Sequence, residues 1–369
     1  MILFRYLTRE TLVSMFAVSF TLLVIVMSGR LVKYLAQAAA GDLAPEVLLS
    51  IMLYRVPSFL ELVLPLGMFI GILLAYGRLY VESEMTVMSA CGMSTRRLSL
   101  YTLVPSLFVA AVVGYTSLVA SPYGISKVQD IFQDAKNTSG LETLVAGRFR
   151  VEDKTGRVTY IERLSKDQQA MQEVFSAEPR MNKDGVLELS VTLAEQGSMA
   201  VSKEDSSRFL VLSNGYRYLG EPGQKSFQVT EFEQFAQRLK APTSNPVRHK
   251  KTDARSTKEL LEGNTLEDRA TLQWRISLII LVPIIALIAQ ALSKTDHRRG
   301  RYVKMLPAFL IYVVYLVLLN AARDAIEKDK LSVELGMWWV HGIFLIIALL
   351  LLFGADLLRK LKAARGVSA

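Results

Sequence analysis

Six stretches of the chain are apolar for long enough to cross a hydrocarbon core of about 30 Å, which takes roughly 20 residues of helix. They run approximately Thr11–Lys33, Leu48–Tyr76, Leu98–Ser121, Trp274–Leu292, Tyr302–Ala322 and Met337–Leu358. Between the third and the fourth, from Pro122 to Thr271, the pattern changes to polar sequence. Its middle alternates apolar and polar positions with the period of a half-buried strand. GRVTYIERL, RFLVLSNGYRYLG and SFQVTEFEQF carry that alternation. Asp184-Gly185 is a turn signal, and Asn214-Gly215 predicts a hairpin between two strands. We read Glu142–Lys240 as an antiparallel sheet unit of sandwich or jelly-roll type. Ala241–Lys251, with Pro242 and Pro246, reads as a linker, and Ser256–Arg275 as a polar helix leading into the fourth span.

The predicted fold class is therefore an α-helical polytopic membrane protein with six transmembrane helices and an inserted all-β, β-jelly-roll domain. Its expected parts are 1–121 for spans one to three, 122–270 for the β domain with its linkers, and 271–369 for spans four to six and a short tail.

Composition agrees with this division. The 369 residues are 51% hydrophobic and 21% charged, too apolar for an ordinary soluble protein and too charged for a chain buried throughout in lipid. The net charge of +9 would suit a nucleic-acid ligand, but its placement points elsewhere. Arg5 and Arg9 precede the first span. Arg78, Arg96 and Arg97 lie between spans two and three, and Lys294, Arg298, Arg299 and Arg301 between four and five. Arg359, Lys360, Lys362 and Arg365 follow the last. The short loop on the other side, Arg323–Glu334, mixes both signs. This is the positive-inside pattern, with both termini in the cytoplasm and the β domain across the membrane. Topology accounts for the charge, and no nucleic acid is expected as a partner. AQAAAG at Ala36–Gly41 looks like a cleavage site, but Arg30 and Lys33 stand before it, so the first span is expected to be an uncleaved anchor.

Enzyme chemistry finds little support. Cys91 is the single cysteine; His249, His297 and His341 are far apart; there is no phosphate loop, H-E-x-x-H or G-x-S-x-G. No metal site is expected.

The short segment between spans two and three is more informative. In VESEMTVMSACGMSTRR, Val81, Met85 and Met88 fall at i, i+4 and i+7, and Cys91 extends the stripe. Glu82, Ser83 and Thr86 occupy the other side, with Glu84 near the boundary, and Gly92 is placed to end the helix. The spacing predicts a cytoplasmic helix of about twelve residues, roughly 18 Å. Its acidic residues could simply complement the helix N-terminus while the stripe lies on lipid. They could instead face a basic partner into whose groove the helix docks, with Met and Val as anchors. Membrane-surface helices usually carry basic polar faces, so the acidity favours a partner.

Other charged positions admit two readings. Arg30 and Lys33 share a helix face and either snorkel to the interface or clamp an anionic ligand. Arg55 and Glu61, six apart in the second span, point to different faces and suit a wet cavity or another subunit. Pro57 and Pro65 are expected to bend that span. His341 reads as a packed or interfacial residue, and Met68 and Phe69 as apolar packing.

YVESEMTVMSACGMS, together with ILFRYLTRETL, LPLGMFIGILLAYGRLY, QWRISL and RGRYVKMLPAFLIYVVY, resembles the lipopolysaccharide export permeases of the LptF/LptG family. These are permease halves of an ABC transporter. The resemblance covers all six spans; in the external domain it is one of position and strand pattern. It implies a permease in the inner membrane of a Gram-negative bacterium that takes lipopolysaccharide from the outer leaflet and passes it, through a periplasmic β domain, to a bridge beyond. ATP and Mg would be used by a partner ATPase, with no cofactor in this chain and no enzyme activity of its own. The implied partners are a sister permease (LptG), a cytoplasmic ATPase dimer (LptB), the single-span LptC and lipopolysaccharide. By the same resemblance Arg30 and Lys33 contact lipid phosphates. Glu84 meets the ATPase on a coupling helix at about 80–92, with Val81, Met85 and Met88 beside it. The alternative is a lipoprotein-releasing type ABC permease, in which the external domain follows the first span, whereas here it follows the third. A membrane hydrolase lacks a nucleophile–base or metal set, and a signalling receptor lacks a catalytic tail.

Overall fold

A computed structural model describes residues 2–39, 43–138, 146–152, 156–165, 170–181, 187–201, 208–238, 252–294 and 305–364. The Asp184-Gly185 turn signal, the Ala241–Lys251 linker and Arg298, Arg299 and Arg301 lie outside them. Two compact units emerge, one of residues 1–33, 49–130 and 250–369 and the other of 34–48 and 131–249.

The first unit is helical. Its elements are α1 (Ile2–Ala39), α2 (Leu48–Val81), α3 (Glu84–Ala90), α4 (Thr95–Tyr115), α5 (Ser121–Thr138), α6 (Thr257–Glu262), α7 (Leu266–Leu292), α8 (Met305–Glu327) and α9 (Trp338–Ala364); the ends of α1 and α5 belong to the second unit. Among the described residues five helices are long and apolar enough to cross a membrane: α1, α2 with the turn before it, α4 running on into α5, α7 and α8. In α9, the expected sixth span, the apolar helix among the described residues is shorter, Trp338–Gly354.

Local chemistry explains several boundaries. Ser94 caps α4, its Oγ accepting from Arg97 N at 3.3 Å. α2 keeps its helix through Pro57 and Pro65, each of which removes a backbone donor, and Ser58 Oγ bonds the Arg55 carbonyl at 2.7 Å. The single polar helix expected over Ser256–Arg275 is two. Ser256 and Glu259 form a capping box for α6, and Thr265 caps α7 by accepting from Asp268 N at 3.1 Å. Between α4 and α5 the chain makes one π-helical turn, Thr116–Ala120, so the third span continues as helix past Ser121.

α7 is the centre of this unit and packs against α4, α8 and α9. Leu278, Leu281, Val282, Ile285, Ala286, Ile288 and Ala289 are all fully buried, as expected of a helix apolar all round. Polar ties hold it: Gln290 donates to Ser99 at 3.0 Å, and Gln273 binds the Val333 carbonyl at 2.7 Å and Met337 N at 3.2 Å.

The second unit carries β1 (Arg148–Glu152), β2 (Arg157–Leu164), β3 (Ala170–Met181), β4 (Leu187–Val201), β5 (Arg208–Gly220) and β6 (Phe227–Arg238). They form one sheet in the order 1-2-3-4-5-6, every neighbour antiparallel. The inserted sheet is antiparallel as expected, and the order of its described strands is that of an up-and-down meander. Ile161, Met171, Val174, Ala194, Leu210 and Leu212 form its core, with Leu164, Phe232 and Phe235 against it. Glu231 accepts the Tyr216 hydroxyl at 3.1 Å, which raises the phenol above its ordinary pKa.

The hairpin expected at Asn214-Gly215 is not there. Both residues lie inside β5, which pairs with β4 and β6 on either side of them without a change of register. Asn214 has φ 54 and Gly215 passes close to the neighbouring strands: a Cβ on Gly215 would sit 2.7 Å from Phe232 Cζ and collide with the Leu193 carbonyl. The left-handed residue and the glycine make a crease rather than a turn. Glu173 repeats the crease in β3 with φ 54.

Candidate functional site

The segment between the second and third spans forms an acidic knuckle. α2 ends at Val81; Glu82 N bonds the Arg78 carbonyl at 2.9 Å, and Ser83, at φ 64, reverses the chain into α3. Gly92, at φ 92, ends the knuckle where a glycine was expected. α3 has seven residues, not twelve, because Val81 belongs to α2 and the left-handed Ser83 resets the helical phase.

That reset decides which face is which. Met85 and Met88 are 3% and 8% exposed and belong to the chain's own core, so they fasten the knuckle from behind. The surface left open presents Glu82, Thr86, Val87 and Cys91, with Val81 at 38% exposure beside them. Glu84 is half-buried, and its Oε2 accepts the Tyr6 hydroxyl at 2.8 Å. Arg78 donates to Glu10 at 2.5 Å and lies 3.7 Å from Glu82. Two contacts thus bind the foot of α1 to the knuckle and to the end of α2.

Arg30 and Lys33, on α1, are both exposed. The Arg30 guanidinium stands 5.5 Å from the centre of the Phe59 ring on α2, a cation–π distance that leaves its donors open to an anion. Arg55 and Glu61 part company. Glu61 lies near Ser117, Ser121 and Arg275, whereas Arg55 Nε is buried without a hydrogen-bond partner among the described residues. His341 is packed, its Nδ1 2.6 Å from the Tyr315 hydroxyl, and Phe69 stacks on Tyr312 at 5.7 Å.

A third polar cluster was not expected. Arg275, 4% exposed on α7, donates to the carbonyls of Asp253 and Arg255 at 3.1 and 2.8 Å and to Thr257 Oγ1 at 3.0 Å. Thr257 in turn donates to the Leu118 carbonyl in the π-helical turn, and Ser117 Oγ reaches the Arg275 carbonyl at 3.5 Å. Around this lie the Arg255–Asp268 and Arg323–Asp253 ion pairs at 2.6 and 2.7 Å, with Asp268 1% exposed. The place where the chain leaves the third span and the place where it returns to the fourth are therefore stitched together. Its partners are scattered from Glu61 to Arg323, so no local spacing marks it; the one signal was an arginine inside an otherwise apolar fourth span.

Comparison with known proteins bears on all three places. A family model described as lipopolysaccharide export system permease LptF/LptG matches residues 5–353. The lipopolysaccharide export system permease protein LptF of Escherichia coli (strain K12) is 33% identical over 365 residues, which is 99% of this chain and 98% of that protein. The LptF proteins of Escherichia coli O157:H7 and Shigella flexneri match to the same extent. The match takes in the knuckle, the Arg30 end of α1, the Arg275 cluster and the inserted sheet, and the chain belongs to the LptF/LptG family of lipopolysaccharide export system permeases.

Proposed function

We propose that this chain is the LptF-type permease subunit of an ABC transporter that draws lipopolysaccharide from the outer leaflet of the inner membrane and passes it to a periplasmic bridge. The observation that carries this reading is the match to LptF along 99% of the chain. The chain acts as a transport subunit: ATP and Mg are handled by a cytoplasmic LptB dimer, and LptG and the single-span LptC complete the complex. The distribution of Lys and Arg supports cytoplasmic termini and a periplasmic β domain.

Two sites belong to this reading. At the knuckle, Glu84 has one carboxylate oxygen on Tyr6 and a second available to a basic residue of the ATPase, while Val81 and the exposed face of α3 supply apolar contact. Met85 and Met88 transmit load into the core rather than touching the partner. At the other end of α1, Arg30 and Lys33 clamp lipid phosphates, since charge-assisted contacts are the strong ones.

Replacing Arg30 and Lys33 by alanine is expected to lower photocrosslinking of lipopolysaccharide to the first helix about tenfold, one charged hydrogen bond being worth about 1.5–3 kcal/mol. Undiminished crosslinking would leave the two side chains as interfacial anchors only.

A further inference from the structure

The first helix is attached to the bundle in an uneven way. Up to Lys33 its buried residues are Leu7, Thr11, Met15 and Ser19, a single stripe at four-residue spacing; the next is Tyr34. From Phe20 to Lys33 no residue is buried. The packed half meets α2 closely at the top of the stripe. A Cβ at Gly71 would lie 2.7 Å from Met15 N and 2.8 Å from Met15 Cα, and one at Gly67 would collide with Ser19 Oγ. With glycines at both positions the two backbones approach without interlocking side chains. Below this crossing, Tyr6 holds Glu84 and Glu10 holds Arg78. Above it, the exposed stretch carries Arg30 over Phe59, four residues before Tyr34 is buried again.

We propose that α1 is a lever, with Tyr6 and Glu10 as the positioning residues that take up movement of the knuckle, the Gly67/Gly71 crossing as its fulcrum, and Arg30 at the load. The arms are comparable, about 14 Å from Tyr6 to Met15 and about 17 Å from Ser19 to Arg30 at about 1.5 Å per residue. Displacement of Glu84 by a bound ATPase therefore reaches the anion clamp at nearly full amplitude and along one helix. The smooth glycine surface lets α1 tilt on α2, and from Phe20 to Lys33 no side chain is buried, so this stretch has little to break as it moves before the helix is held again at Tyr34. Tyr6 and Glu84 also share a hydrogen bond that a basic partner need not displace, because the second carboxylate oxygen remains open to it. This inference rests on the proposed function in taking the knuckle as the point where the ATPase pushes.

The test uses the assembled complex in lipid with spin labels at Val32→Cys on α1 and Leu53→Cys on α2, both positions exposed, in a Cys91→Ser background. Trapping the ATPase with nucleotide is expected to change the label separation by about 2 Å, the scale of helix shifts in switching proteins. In Tyr6→Phe with Glu10→Gln, which keeps the packed stripe and Glu84 itself, the ATPase is still recovered with the complex and the melting temperature falls only slightly, by the loss of one hydrogen bond and one part-exposed ion pair. The separation no longer responds to nucleotide, and lipopolysaccharide released per ATP hydrolysed falls about fivefold or more, the lower end of couplings between sites. Tyr6→Phe alone, which removes one hydroxyl, gives a smaller loss of the same kind. A nucleotide response that persists in the double variant overturns the lever, as does a parental complex that hydrolyses ATP with no change in separation. A parental chain that recruits no ATPase overturns the proposed function itself, a different failure that is read before any variant is made.

Discussion

Replacing Arg275 by alanine is expected to destabilise the protein by about 3–5 kcal/mol, the usual consequence of removing one member of a buried charged network. The guanidinium is buried and serves three acceptors, the carbonyls of Asp253 and Arg255 and the Thr257 hydroxyl. Alanine would leave all three, and the nearby Glu61 carboxyl, without it. It would also loosen the stitch between the π-helical turn and the segment entering α7, since Thr257 bonds Leu118 from the same junction. Thermal unfolding of the detergent-purified complex checks this, with membrane accumulation as a second reading. Arg275→Lys should recover only part of the loss, because one ammonium cannot reproduce a planar fork directed at separate acceptors. Equal melting temperatures for the alanine variant and the parent would show that the junction contributes little to folding.

The second large effect is expected at Glu84. Glu84→Ala should weaken ATPase binding by about 2–5 kcal/mol if its carboxylate meets a desolvated basic residue, and export should fall with it. Glu84→Gln separates the two duties of the side chain. The amide oxygen still accepts the Tyr6 hydroxyl, so the fold of the knuckle is retained, but the charge is gone. Binding should therefore suffer in both variants, and knuckle stability mainly in the alanine. Unchanged recovery of the ATPase together with unchanged export in Glu84→Ala would remove the knuckle from the coupling path.

The helical architecture was legible because lipid imposes a length: runs of apolar residues long enough to cross leave few other folds. The acidic knuckle was legible too, as an interruption with caps at Gly92 and Ser94. Which of its faces points outward was not. Periodicity groups Val81, Met85 and Met88, but Ser83 at φ 64 breaks the phase, and only tertiary packing tells that the methionines are covered by this same chain. Asn214-Gly215 misled for a related reason. The residues that permit a left-handed turn also permit a crease within a strand, and the choice was made by the close approach of Leu193 and Phe232. The Arg275 cluster could not be read at all from spacing, since its closest partners come from Asp253 to Thr257 and its neighbours reach back to Ser117. The roles of Arg30, Lys33 and Glu84 came from resemblance to a family rather than from any pattern that charge or hydropathy could supply.

The central claim, that work from nucleotide hydrolysis enters through the knuckle, requires this segment to face the cytosol, and the protein carries its own probe there. Cys91 is the single cysteine and is exposed immediately after α3. A membrane-impermeant maleimide should label it in inverted inner-membrane vesicles, more strongly once the ATPase is stripped away, and leave it unlabelled when applied from the periplasmic side. Labelling from the periplasmic side with none in inverted vesicles would contradict the account.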